Sequence, residues 1–239
     1  LKTHGMMAYT GAVKNMFGAI AGLEKAEYHL QLSDYDEFAD CIIDIFLAVK
    51  PTFHLIDAVV GMHKDGPTAG EPYPLGTILG GSDAFELDLA GARLIKADYR
   101  RIPVLRRAAE RGLVKTEPDA ISFSGDEMIV AENFVIKYND SLKRLHFADG
   151  ILGRLLSGAI RPRPVFDRKL CRGCGECVKC CPAKVIRLVP LPEGQKPNGR
   201  GYAEVDLSGC IRCYCCQELC PFRAVRIKRP LLNRLVIRR

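Results

Sequence analysis

Hydrophobic and polar positions along residues 1–138 follow two different periods, which predicts a mixture of helices and strands. Apolar residues recur three or four positions apart in residues 35–50, so Phe38, Ile42 and Ile45 would lie on one face of a helix. Other stretches carry runs of apolar residues bounded by glycine, which is typical of strands.

These patterns together predict the order of elements in the first part of the chain. Helices are predicted at residues 10–20, with Thr10 as the N-cap, and at 35–50, 82–99 and 104–113, and strands at 52–62, 76–81, 120–125 and 133–138. Strands that alternate with helices are typical of α/β domains. The sequence therefore predicts an α/β fold in which flanking helices cover a mainly parallel sheet.

Cysteine is concentrated near the end of the chain, in a pattern that occurs twice. The stretches "CRGCGECVKCCP" at 171–182 and "CIRCYCCQELCP" at 210–221 each contain C-x2-C-x2-C-x3-C-P, offset by 39 residues. This spacing is typical of two-cluster 4Fe–4S ferredoxins, in which the fourth cysteine of each motif ligates the other cluster. The predicted ligands are Cys171, Cys174, Cys177 and Cys220 for cluster 1, and Cys210, Cys213, Cys216 and Cys181 for cluster 2.

Disulfides and zinc fit these cysteines less well than iron–sulfur clusters do. A disulfide framework requires an oxidising compartment, and the sequence shows no secretory signal, which favours a cytoplasmic protein. A zinc site would pair one C-x2-C with another and would not use a third cysteine at the same step. Cys180 and Cys215 are not repeated between the motifs, so we interpret them as packing residues, with spare ligands or redox-active thiols as the alternative.

Charge is also distributed unevenly between the two parts of the chain. Residues 1–150 carry 16 Lys or Arg and 22 Asp or Glu, whereas residues 151–239 carry 19 and 6. The basic second part predicts docking of an acidic electron carrier, such as a flavodoxin-like or ferredoxin-like protein. Few aromatic residues interleave the basic ones, which argues against nucleic acid, and no apolar run is long enough to cross a membrane.

A candidate small-molecule site lies in the segment 57–76, which holds four glycines and three prolines. We predict a long loop at the carboxyl end of a strand, where ligands bind in parallel sheets. Asp57 and Asp83 would meet at that edge, with Asp57 as a proton donor or acceptor. The predicted site comprises Lys2, His4, Lys14, Asn15, Asp57, Gly66, Gly70 and Asp83, and Asp57 and Lys14 are the candidate catalytic residues. The alternative is that Asp57 and Asp83 only stabilise turns and helix ends.

Several stretches of the first part resemble a known family. They are "KTH" at 2–4, "TGAVKNMFG" at 10–18, "DAVVGMHKDGPTAG" at 57–70 and "ILGGSDAFELD" at 78–88. Followed by a two-cluster ferredoxin, these stretches resemble the domain-of-unknown-function 362 family of iron–sulfur proteins. The resemblance spans nearly all of the chain and implies the architecture and the clusters, but no reaction. Family members usually carry further α/β sequence before "KTH", which implies that residues 1–138 are the later part of a larger domain.

The sequence thus predicts four consecutive parts and two functional hypotheses. The parts are an α/β domain at 1–138, a packed connector at 139–165, a small α+β two-cluster ferredoxin-like domain at 166–229 and a basic tail at 230–239. In the first hypothesis, the clusters carry single electrons between an external carrier and a small-molecule substrate in the α/β domain, as in an oxidoreductase. In the alternative, the protein is a binding or scaffold protein with structural clusters and a basic docking face. Two clusters favour electron transfer, because a structural role needs only one metal.

Overall fold

The structure is a computed structural model, and its chain divides into two units, Leu1–Tyr138 and Asn139–Arg239. It describes residues 1–21, 25–32, 34–117, 121–138, 162–191 and 201–229. Residues 139–161 of the predicted connector and the predicted tail at 230–239 therefore lie outside the described residues. In the part that is described, no helix is long and apolar enough to cross a membrane.

The first unit combines a four-stranded sheet with helices. Its elements are β1 (Lys2–His4), β2 (Ala8–Thr10), α1 (Ala12–Asn15), α2 (Lys25–Gln31), α3 (Tyr35–Val49), β3 (His54–His63), β4 (Glu71–Gly81), α4 (Ala84–Leu94) and α5 (Pro103–Glu110). Short 3-10 helices follow α1 at Met16–Ala19 and precede α5 at Tyr99–Arg101. The prediction of a mixed α/β fold is confirmed by these elements.

The sheet is mixed rather than mainly parallel, and this part of the prediction needs correction. Its strand order is β2-β1-β3-β4, and only the pairing of β1 with β3 is parallel. β3 and β4 form a long antiparallel hairpin, because they are joined by residues 64–70 and not by a crossover helix. Four of the seven glycines and prolines of 57–76 therefore lie within strands, and the other three lie in the 64–70 connection. Pro72 and Pro74 are tolerated because β4 is at the edge of the sheet.

Helices cover one face of this sheet. β3 alternates strictly at its start, with Ile56 and Ala58 buried and Leu55 and Asp57 exposed. The buried side contributes to a core built with the apolar residues of α3, α4 and α5. α3 agrees with the predicted helix and begins after Asp34, whose carboxylate accepts hydrogen bonds from the first turn.

Three predicted elements differ from the structure. The helix expected at 10–20 is a four-residue helix continued by a 3-10 turn, and Thr10 does not cap it. The helix expected at 82–99 ends at Leu94. The strands expected at 120–125 and 133–138 do not form in the residues that are described there, where Ile136 makes one isolated parallel bridge to Lys64.

The second unit contains two antiparallel two-stranded ribbons and two short helices in its described part. Its elements are β5 (Arg163–Phe166), α6 (Glu176–Lys179), β6 (Ile186–Val189), β7 (Tyr202–Val205), α7 (Cys215–Glu218) and β8 (Val225–Lys228). β5 pairs with β8, and β6 pairs with β7. The hairpin predicted between the cysteine motifs has its two arms in β6 and β7, and its residues 192–200 lie outside the described part.

The backbone of the second unit repeats with the same 39-residue offset as the sequence. Left-handed φ angles occur in pairs, at Gly173 and Arg212, at Gly175 and Tyr214, and at Lys184 and Arg223. Such angles are unusual for residues other than glycine. Tyr214 is held in place by burial and by its hydroxyl, which donates to the carbonyl oxygen of Pro162 at 3.0 Å. The two motifs therefore share a backbone course as well as a spacing.

Candidate functional site

Four cysteines surround one cavity of the second unit, which we call site 1. They are Cys171, Cys174, Cys177 and Cys220. The cavity encloses about 330 Å³ of space not filled by protein atoms. Three of these cysteines belong to the first motif, and the fourth is the last cysteine of the second motif.

A second cavity, site 2, has the complementary composition. It is lined by Cys181, Cys210, Cys213 and Cys216 and also encloses about 330 Å³. Here three cysteines come from the second motif and one from the first. The structure thus groups the eight cysteines into the same two sets that the repeated spacing predicts.

Two of the crowded thiols, one in each site, have a raised pKa and resist ionisation in the absence of a positive charge. Burial, and then the proximity of Cys171, Cys174 and Cys220, raise the pKa of Cys177 to about 11. The pKa of Cys216 is raised as well, first by burial and then by neighbouring cysteines. A metal centre removes this penalty because it binds the thiolate form.

Backbone donors are already directed at two of the sulfurs of site 1. The amide of Ala203 donates to the sulfur of Cys171 at 3.4 Å, and the amide of Ala224 donates to the sulfur of Cys220 at 3.3 Å. Such bonds stabilise the negative charge of a cluster and its thiolates and tune its potential. The cysteine sulfurs and these amide donors therefore fit a four-iron cluster.

Each ribbon covers both sites with apolar side chains. In the ribbon β6–β7, Leu188 and Ala203 form a cross-strand pair over site 1, and Ile186 and Val205 form a pair over site 2. The ribbon β5–β8 places Phe166 and Val225 over site 1 in the same way. These apolar surfaces keep water away from the cysteines, which lowers the local dielectric constant.

Cys180 and Cys215 line neither cavity. The Cys180 thiol donates to the carbonyl oxygen of Cys177 at 3.5 Å. Cys215 is buried at the start of α7, and its thiol donates to the sulfur of Cys213. Both contacts fit packing residues beside the sites.

The glycines predicted for the small-molecule site serve close packing. The amide of Gly66 donates to the Thr3 hydroxyl at 3.1 Å, and a Cβ atom at Gly66 would lie 2.2 Å from the Thr3 carbonyl oxygen. A Cβ atom at Gly70 would lie 2.4 Å from the carbonyl oxygen of His63. The strand that carries Lys2 and His4 is therefore packed directly against the 64–70 connection.

The remaining predicted site residues lie on different elements. Asp57 is exposed on β3 and accepts a hydrogen bond from the amide of Val59 at 2.9 Å. Asp83 caps α4 and lies beyond the carboxyl end of β4, which runs antiparallel to β3. The argument that placed both carboxylates at one carboxyl edge is therefore wrong. Lys14 and Asn15 lie in α1, with the Lys14 ammonium 5.9 Å from the Phe17 ring centre.

Comparison with known proteins agrees with this division of the chain. Residues 1–93 match the family model described as Domain of unknown function (DUF362). Residues 170–224 match the model of the 4Fe-4S dicluster domain. The first unit is thus similar to the DUF362 family over residues 1–93, and the second unit is a 4Fe–4S ferredoxin-like module.

Curated relatives match the chain over different lengths. A thylakoid-associated protein of Synechocystis is 26% identical over 56% of this chain and 42% of its own length. An uncharacterized polyferredoxin-like protein of Methanocaldococcus jannaschii is 25% identical over 40% of this chain and 62% of its own length. An uncharacterized ferredoxin of the same organism is 38% identical over 27% of this chain and 75% of its own length.

The chain spans less than two thirds of the length of the first two of these relatives. No solved structure matches it.

One residue of the first unit that sequence analysis missed is Asp88 in α4. It is 2% exposed, and its carboxylate accepts hydrogen bonds from the amides of Ala12 and Val13, the latter at 3.1 Å. Burial raises the pKa of Asp88 to about 7, although these two bonds oppose the shift. Asp88 therefore caps the start of α1, which is the role predicted for Thr10. It does so from α4, 76 residues after Ala12 in the chain.

The close approach of Asp88 depends on Gly11. A Cβ atom at Gly11 would lie 2.1 Å from the Asp88 carboxylate and 2.7 Å from the Tyr9 hydroxyl. The sequence signal was the glycine between Thr10 and Ala12, since the free N–H groups of a helix that starts with glycine need an acceptor from elsewhere. The hydroxyl groups of Tyr9 and Thr10 are buried and have no hydrogen-bond partner among the described residues.

Proposed function

We propose that this protein transfers single electrons through two 4Fe–4S clusters. Site 1 would hold one cluster through Cys171, Cys174, Cys177 and Cys220, and site 2 the other through Cys210, Cys213, Cys216 and Cys181. The observation that carries this proposal is the pair of cavities, each lined by three cysteines of one motif and the last cysteine of the other. When bound, such clusters accept and release one electron at a time.

The residues of the module perform three tasks in this proposal. The cysteine sulfurs hold the irons, and the amides of Ala203 and Ala224 stabilise the negative charge on two of those sulfurs. The apolar pairs of the two ribbons exclude water. All three tasks keep the charged centre in a fixed environment, so little reorganisation accompanies a change of its charge.

The proposed partners are an acidic electron carrier and a small molecule bound by the first unit. The described residues of the second unit carry twelve Lys or Arg and five Asp or Glu, which supports an acidic carrier. In the first unit, the buried hydroxyl groups of Tyr9 and Thr10, just before α1, have no partner among the described residues, which supports a polar ligand at α1. The electrons would pass between the carrier and that ligand.

Reversible reduction is the first expected result. In an anaerobic potentiometric titration of the intact protein, we expect both clusters to reduce and reoxidise without loss of iron. Electron paramagnetic resonance would count the reduced centres at each potential. If the clusters remain intact but take up no electron down to the potential of strong chemical reductants, they are structural, and the scaffold alternative is favoured.

The small-molecule site predicts separate effects of two substitutions. Lys14→Ala should weaken ligand binding about tenfold by removing a charge, while iron content stays unchanged. Asp57→Asn removes the charge at the exposed position on β3 and should likewise weaken ligand binding while iron content stays unchanged. Binding would be followed by calorimetry with the ligands found by mass spectrometry of the purified protein. Normal binding by both variants would place the site away from Lys14 and Asp57.

A further inference from the structure

The duplication allows the surroundings of site 1 and site 2 to be compared position by position. Arg172 lines site 1, and its equivalent 39 residues later, Ile211, lines site 2. Phe222 lines site 1, and its equivalent 39 residues earlier, Ala183, lines site 2. Arg172 and Phe222 are exposed, whereas Ile211 and Ala183 are half-buried. The two copies therefore differ most where site 1 meets the surface.

The β6–β7 ribbon, which covers both sites, shows the same asymmetry. Leu188 over site 1 is 44% exposed, whereas Ile186 over site 2 is 6% exposed. All described residues that line site 2 are buried or half-buried, but four that line site 1 are exposed. Because electron transfer slows steeply with distance, a protein carrier exchanges electrons fastest where a cluster lies directly beneath the surface it contacts.

The surface over site 1 also has a defined chemistry. Phe222 is 43% exposed and forms an apolar centre with Leu188. Arg172 and Arg223 stand beside these residues, and no ion pair holds either guanidinium in the described part of the chain. The nearby acid Glu176 is already paired with Lys179 at 2.8 Å. An apolar centre with a charged rim is typical of protein interfaces, and small interfaces suit transient redox partners.

We propose that site 1 is the electron port of the module, and that an acidic protein carrier docks over Phe222 and Leu188 with Arg172 and Arg223 at the rim. This inference rests on the proposed electron-transfer function and adds the place and the partner's chemistry. Each encounter moves one electron between the carrier and the group held at site 1, so that one is oxidised as the other is reduced. No covalent bond forms or breaks in this step.

The chain supplies a matched pair of positions for the test. Arg223 follows Phe222 at site 1, and Lys184 follows Ala183 at site 2, 39 residues earlier. Both are exposed and both have left-handed backbones, with φ of 51° and 52°. Arg223→Glu and Lys184→Glu therefore reverse one charge each in equivalent local structures, and they change the net charge of the protein equally.

The probe is an acidic flavodoxin, used with the intact, cluster-loaded protein. We expect Arg223→Glu to weaken flavodoxin binding about tenfold at low ionic strength and to slow electron transfer by a similar factor, and Lys184→Glu to change either by no more than about twofold. Binding is measured by biolayer interferometry and electron transfer by stopped-flow absorbance. High salt should remove the difference between the variants.

Three results would overturn the proposal in recognisable ways. Equal losses in both variants would mean that only overall charge matters, and a larger loss in Lys184→Glu would make site 2 the port. Loss of single-stranded RNA binding in Arg223→Glu, with no flavodoxin binding in the unaltered protein, would assign the surface to nucleic acid. Photoreduction by a small deazaflavin tests the electron-transfer function separately from the position of the port. Clusters that it cannot reduce reversibly contradict electron transfer itself, whereas normal photoreduction with equal variants contradicts only the port.

Discussion

Replacing Cys177 and Cys220 together by alanine should remove one cluster and leave the other. Both sulfurs belong to site 1, so iron should fall from about eight to about four per chain. Replacing Cys177 and Cys181 together should instead remove both clusters, because these cysteines line different cavities. Each double variant removes two cysteines, so the difference in iron content reports the grouping and not the number of thiols.

The measurement is iron and sulfide content after anaerobic purification and reconstitution, with electron paramagnetic resonance of the reduced protein. Cys215→Ala is the control for removal of a buried thiol that lines neither cavity, and it should retain about eight iron. The grouping of the cysteines into site 1 and site 2 is refuted if the double variant Cys177→Ala/Cys220→Ala loses both clusters while the double variant Cys177→Ala/Cys181→Ala keeps one. Zinc in place of iron would reject the cluster proposal altogether.

The free energy of unfolding of the first unit should fall as the pH rises from about 4 to about 7, because of Asp88. The folded state holds a proton on Asp88 up to its raised pKa of about 7, whereas the unfolded chain releases it near the ordinary value of 3.8. The folded state thus binds more protons in this range, and its stability decreases with increasing pH. A shift of this size corresponds to roughly 4 kcal/mol at neutral pH.

Asp88→Asn removes this dependence, since an amide does not ionise but can still accept a backbone hydrogen bond. Between about pH 4 and about pH 8, we expect the free energy of unfolding of the variant to change by several kcal/mol less than that of the unaltered protein. Urea unfolding of the intact chain, read by pulsed hydrogen exchange in peptides from α3 and α4, isolates the first unit. Asp126→Asn, at an exposed position, is the control and should leave the slope unchanged. An unchanged slope in Asp88→Asn would show that Asp88 ionises normally in the folded protein.

Sequence reasoning succeeded where the determinants are local. α3 carries its own cap and a complete apolar face, so its beginning at Tyr35 and its end at Val49 follow from neighbouring residues. The two cysteine motifs likewise contain their own spacing, and the duplication fixes which positions are equivalent. The arms of the hairpin between them alternate clearly enough to be recognised as strands.

It failed where pairing or packing with another segment of the chain decides the outcome. The stretch from Asp57 to Gly76 contains turn-forming residues, yet its pairing partner is the other half of the same stretch, and only that pairing makes it a hairpin. Asp88 could not be recognised as a cap for α1, because its contacts span more than seventy residues. The candidate ligand residues were grouped by assuming a parallel sheet, and that reason for the group no longer holds because β4 is antiparallel to β3.

A ribosome making this chain completes neither cysteine set until the module is almost finished. Site 2 needs Cys216, and site 1 needs Cys220, although the first motif has emerged in full 39 residues earlier. The three early cysteines of site 1 must remain reduced and unmetallated, or loosely held by a delivery factor, during that interval. In the proposed assignment, assembly of both clusters is therefore coupled to completion of one polypeptide segment, and a message truncated between the motifs would yield a product that can assemble neither.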